Sequence, residues 1–123
     1  MANWTFRSVG AASSNNNSAA LTPGAPAGKT NGDLLLLFTG NYTVGETLAA
    51  ISGWRIIAYN NLGINANAPP LVLLGRIADG SGTDTPSPDW TGTTDSFAWI
   101  EAYSGGTYTD MASIVVCGGN YED

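Results

Sequence analysis

Residues 33–39 read Asp33-Leu34-Leu35-Leu36-Leu37-Phe38-Thr39, set between Gly32 and Gly40. The apolar run is far short of the roughly 20 residues needed to span a membrane. The flanking glycines leave no room for a helix of ordinary length, so the run reads as a strand. In a strand, Leu34, Leu36 and Phe38 point to one side, and Leu35 and Leu37 to the other. A solvated two-layer β protein keeps one side of each strand polar. Here neither side is polar. The second side therefore requires a cover: a loop, a second copy of the chain, or a larger assembly.

Around this strand the chain is punctuated at short intervals. Trp4–Val9 alternates as a first strand, and Gly10–Ser18 is small and polar, with an asparagine tip at 15–17. Ala19–Thr22 reads as a short strand before Pro23-Gly24-Ala25-Pro26, which suits neither helix nor central strand. Further strands are expected at Trp54–Tyr59, Leu71–Asp79, Ser96–Ser104 and Met111–Cys117, with Asp89–Gly92 short and extended. Glu46–Ile51 is the one place where a helical turn could form. Seven or eight short strands at this spacing predict an all-β fold, an antiparallel β-sandwich of jelly-roll type. The 123 residues suit a single domain spanning 1–123, with a loose acidic tail within 117–123.

Composition excludes several function classes. The chain has four cations (Arg7, Lys29, Arg55 and Arg76) against ten acids, a net charge of −6. So few cations cannot neutralise a phosphate backbone, and nucleic acid is not an expected partner. No membrane partner is expected either. With no histidine, Ser-His-Asp and Cys-His catalysis is excluded, and zinc lacks its usual ligands. Asp79-Gly80-Ser81-Gly82-Thr83-Asp84 offers two carboxylates but not the denser set of an EF-hand loop, and a solvated turn is the favoured reading. No pair among Glu46, Asp89, Asp95 and Glu101 is marked as a hydrolase pair. The expectation is no enzyme, no cofactor and no metal. The single cysteine, Cys117, reads as a small buried hydrophobe. Met1–Thr5 lacks the basic and apolar regions of a signal peptide, so assembly inside a cell is expected, and the sequons at Asn3, Asn16 and Asn41 carry no weight.

Five segments occur in a telling order: Pro26-Ala27-Gly28-Lys29-Thr30-Asn31-Gly32-Asp33-Leu34-Leu35-Leu36, Gly53-Trp54-Arg55, Arg76-Ile77-Ala78-Asp79-Gly80, Asp89-Trp90-Thr91-Gly92 and Ala102-Tyr103-Ser104-Gly105. This series resembles the small β-sandwich domains of tailed-phage virion proteins and of some bacterial surface proteins, over roughly residues 8–106. The resemblance implies a structural virion protein, a capsid decoration protein of cement or head-fibre type. Its partners would be the major capsid protein and further copies of itself, a trimer in preference to a dimer. Its location would be the virion, assembled in the host cytoplasm. The alternative is a glycan- or receptor-binding module of a tail fibre, with Trp90, Trp99, Tyr103 and Tyr108 available to stack on sugars. Trp54 reads as a core anchor instead.

Alternation then proposes an interface. If Arg55 and Arg76 mark the outward side, Ile57 and Tyr59 accompany Arg55, while Val72, Leu74 and Ala78 accompany Arg76. On the last long strand Glu101 travels with Phe97, Trp99 and Tyr103. The candidate interface is therefore Arg55, Ile57, Tyr59, Val72, Leu74, Arg76, Phe97, Trp99, Glu101 and Tyr103. Large apolar side chains around isolated charges have the composition of a contact surface.

Overall fold

The computed structural model describes residues 4–17, 19–60, 69–92 and 95–106. The expected strand Met111–Cys117, the tail and Tyr108 lie outside them. The described strands are β1 (Thr5–Val9), β2 (Ser13–Asn15), β3 (Leu34–Asn41), β4 (Arg55–Tyr59), β5 (Leu71–Ile77) and β6 (Ser96–Ser104). All pairings are antiparallel. The fold is all-β, as expected, and the described strands form one six-stranded sheet in the order β1-β6-β3-β5-β4.

The leucine strand β3 lies at the centre, hydrogen-bonded to β5 on one side and β6 on the other. β1 and β2 share the outer edge of β6: β1 pairs with its C-terminal half and β2 with its N-terminal half. Gly10 links the two by donating its N–H to the Ile100 carbonyl at 2.8 Å. Ser13–Asn15 has little intrinsic strand preference, and its sequence reads as loop. The open ladder of Ser96–Ala98 makes it a strand.

Cross-strand partners share a face, so the register divides the sheet into two sides. The inner side carries Leu35, Leu37 and Thr39 of β3, Val72, Leu74 and Arg76 of β5, and Ala98, Ile100 and Ala102 of β6. Leu35, Leu37, Ile100, Ala98 and Ala102 are inaccessible to solvent. Loops, rather than a second hydrogen-bonded sheet of described residues, cover this side. They contribute Leu21, Trp54, Ala78 and Trp90 to the core, and Leu48, Ile51 and Tyr59 pack against it.

Both loop tryptophans are fixed by their indole N–H as well as by burial. Trp54 donates to the Thr83 carbonyl at 2.8 Å, and Trp90 to the Thr39 hydroxyl at 3.0 Å. Thr39 in turn donates to the Phe97 carbonyl. A polar group on the inner side of a core strand is thereby satisfied. Trp54 is the core anchor expected of it.

One local expectation is corrected, and one open possibility is not taken up. Ala19–Thr22 is not a strand; Leu21 is nonetheless buried, and its N–H bonds to the Pro88 carbonyl. Glu46–Ile51 forms no helix, because Leu48 bridges to Trp90, which replaces local hydrogen bonds with a long-range one. The one described helical turn is a 3-10 turn at Gly82–Asp84.

Candidate functional site

The other side of the sheet is where the candidate site lies. Its side chains form four rows across the strands. One row runs Phe97-Gly40-Leu71, and the next Trp99-Phe38-Leu73. A third runs Val9-Glu101-Leu36-Gly75-Arg55, and the fourth Phe6-Tyr103-Leu34-Ile77. At β-sheet spacings this is a face of roughly 400 Å².

Several of its members stay in contact with solvent. Phe6 is 55% exposed, Val9 52%, Leu71 44% and Phe97 37%. The aromatic rings are ordered against one another. Phe38 and Trp99 stack with centroids 5.1 Å apart and planes 9° apart, and Phe97 stacks on Trp99 at 5.7 Å. Phe6 meets Tyr103 edge to face at 5.7 Å. Such pairs add to the stabilisation from area alone and hold the rings in fixed positions.

The charge in this face is held as firmly. Glu101 accepts from Trp99 Nε1 at 3.2 Å on one oxygen and from the Tyr103 hydroxyl at 2.6 Å on the other. The hydrogen bond to Glu101 is the main reason the Tyr103 phenol titrates above its usual range, with desolvation and the carboxylate's charge adding to it.

The structure places the proposed interface residues in two groups. Phe97, Trp99, Glu101 and Tyr103 lie on the outer face together with Arg55. Val72, Leu74 and Arg76 do not: they are 1%, 2% and 6% exposed, and Ala78 is buried with them. The outward assignment for β5 is therefore inverted, and Leu71, Leu73 and Ile77 take the outer face instead. Tyr59 also turns to the core. A bulge between Ile56 and Ala58 shifts the phase of β4, pairing Ile56 with Leu74 and Tyr59 with Val72, and Ile57 sits at that bulge. Trp90 is 5% exposed and cannot stack on a sugar.

Arg76 misled the alternation because its charge is neutralised inside. Its Nε faces Asp84 Oδ1 at 3.0 Å as an ion pair without hydrogen-bond alignment. Its Nη2 meets Asp79 at 2.9 Å, and Nη1 donates to the Thr83 hydroxyl at 2.6 Å. Gly53, at φ +77°, leaves room for the guanidinium, since a Cβ there would lie 2.9 Å from Nη1. The same Asp84 binds Lys29 Nζ at 2.8 Å and accepts the Gly80 N–H at 3.0 Å. Arg7 pairs with Asp33 nearby at 2.8 Å. Asp84, a candidate cation ligand in the sequence, is thus occupied by the chain's own cations. No group of three or more metal-ligating side chains is formed among the described residues.

Outer-face members that the interface set lacks (Phe6, Val9, Leu34, Leu36, Phe38, Leu71, Leu73 and Ile77) carry one usable signal. The leucine strand is apolar on both sides, so Leu36 and Phe38 had to emerge on one of them. Comparison with protein families, with curated proteins and with solved structures finds no match.

Proposed function

We propose that the protein is a structural virion protein of a tailed bacteriophage, a capsid decoration protein of cement or head-fibre type. Its outer sheet face would be the contact surface. The observation that carries this reading is the ordered aromatic face, in which Phe38, Trp99 and Phe97 stack in series and Trp99 and Tyr103 hold the Glu101 carboxylate. An ordered apolar surface with two charges, Glu101 and Arg55, suits burial against a protein partner: it loses little side-chain entropy on binding, and the charges set register. The order of the five sequence motifs supplies the phage context. The major capsid protein and further copies of the chain are the partners this reading names, and the virion, assembled in the host cytoplasm, is the location.

The test is a count and a competition. Mass spectrometry of purified virions should give hundreds of copies per particle, and purified protein should bind heads that lack it. A double variant, Phe97→Glu with Trp99→Glu, should fold and fail to bind heads. A handful of copies confined to the tail, or undiminished head binding by the double variant, would overturn the reading.

A further inference from the structure

The two ends of the sheet differ in chemistry. At one end the ion pairs of Arg7, Lys29 and Arg76 close the structure. At the other, where β2, β3 and β4 end and β5 and β6 begin, an open groove of about 810 Å³ is lined by side-chain amides, a carboxylate and aromatic rings. The volume lies within the range of small-ligand sites.

Its polar groups include Asn15, Asn16, Asn60 and Asp95, and its rings are Tyr42 and Phe97. Tyr42 stands 78% exposed at the rim, with no ring stacked on it among the described residues. Phe97 lies over Gly40, where a Cβ would come 2.7 Å from its ring. Two of the amides are set in place by the frame. Asn15 accepts from the Ser96 hydroxyl at 2.9 Å and donates to the Ala19 carbonyl. Asn60 accepts the Leu71 N–H at 2.7 Å and donates to the Pro69 carbonyl at 3.2 Å. Each amide nitrogen carries two hydrogens, and each of these bonds uses one. The Tyr42 backbone is tied by its N–H to the Asp95 carbonyl at 2.8 Å.

We infer that this groove is a binding site for a neutral oligosaccharide. A pyranose has an apolar C–H face that suits an aromatic ring, and a rim of hydroxyls that both donate and accept. Amides and a carboxylate match those hydroxyls, because together they offer donors and acceptors at fixed positions. Anionic ligands are disfavoured. None of the chain's four cations lines the groove, Asp95 does, and the net charge is −6. The site is distinct from the outer face, which it adjoins at Phe97.

The test uses the whole protein and saturation-transfer NMR with maltotriose, cellotriose, chitotriose and mannotriose, with 3′-sialyllactose and a heparin tetrasaccharide as anionic comparators. At least one neutral trisaccharide should bind. Tyr42→Ala should weaken that binding about tenfold or more, and Asp95→Ala should weaken it as well. Tyr103→Ala, on the sheet face in a row away from Phe97, should leave it unchanged. Tyr42→Ala should also bind heads normally, so loss of the sugar site and loss of the capsid reading are separable. Absence of binding by all four neutral sugars at millimolar concentration overturns the inference. So does binding of the anionic probes alone, or a neutral-sugar site abolished by Tyr103→Ala but not by Tyr42→Ala.

Discussion

Tyr103 donates a 2.6 Å hydrogen bond to Glu101, two residues earlier on the same face of β6. Because that bond belongs to the protonated phenol, Tyr103 holds its proton to higher pH in the folded protein than in the unfolded chain. The sign of the effect on stability follows. The contribution is complete below pH 10, where both states are protonated. It is lost as the pH rises through the folded-state value, because the unfolded chain ionises first. Urea midpoints measured from about pH 9 to about pH 11 should fall, and Tyr103→Phe should fall less steeply. Equal slopes would show that the bond carries no such linkage.

Oligomerisation is the second expectation. Leaving large outer-face side chains in water forgoes about 1.5–3 kcal/mol each. The wild type should therefore sediment as a homo-oligomer at micromolar concentration, a trimer in preference to a dimer, as the proposed capsid role suggests. Val9→Glu with Phe97→Glu should yield a folded monomer. Leu74→Glu should not fold at all, since Leu74 lies in the core. A monomeric wild type would remove the outer face as a self-contact.

The third concerns Asp84, which is 0% exposed and neutralises two cations. Asp84→Ala strands the buried Arg76 and should cost about 3–5 kcal/mol in urea unfolding. A loss below about 1 kcal/mol would mean that Asp79 alone can balance Arg76.

Asp79 itself gives an acid-side prediction. The Ser81 hydroxyl and then the Ser81 N–H, with help from Arg76, hold its carboxyl down to about 2. Its contribution is present above the ordinary carboxylate value and is lost as the pH falls through about 2. Ser81→Ala should raise the midpoint of acid unfolding. An unchanged midpoint would count against the Ser81 bonds as the cause.

Gly40→Ala tests how the aromatic stack is seated. The added methyl would meet the Phe97 ring edge at 2.7 Å and the Pro70 carbonyl at 3.1 Å. The ring should swing away, at a cost of about 1–3 kcal/mol. The near-ultraviolet circular dichroism of the Phe97–Trp99–Phe38 stack should change while the far-ultraviolet spectrum is kept. An unaltered near-ultraviolet signal would show that Phe97 is not held against Gly40.

The sequence by itself determined that the chain is all-β, that residues 34–38 form a strand apolar on both sides, and which residues of each regular strand share a face. On β6 it also determined which face is inside, because the charged Glu101 travels with Phe97, Trp99 and Tyr103 and leaves Ala98, Ile100 and Ala102 for the other side. Tertiary structure alone decided the rest. On β5 the alternation was as clear but its sense was not. Arg76 reads as an outward charge until Asp79 and Asp84, from the loop that follows β5, neutralise it inside. On β4 one bulged residue at Ile57 turned Tyr59 to the core, and Ser13–Asn15 became a strand because β6 had an edge to fill. Periodicity is a local property of the backbone, so it can be read along the chain. Which side is buried depends on charges and carbonyls that arrive from far away in sequence, and these exist only once the chain has folded.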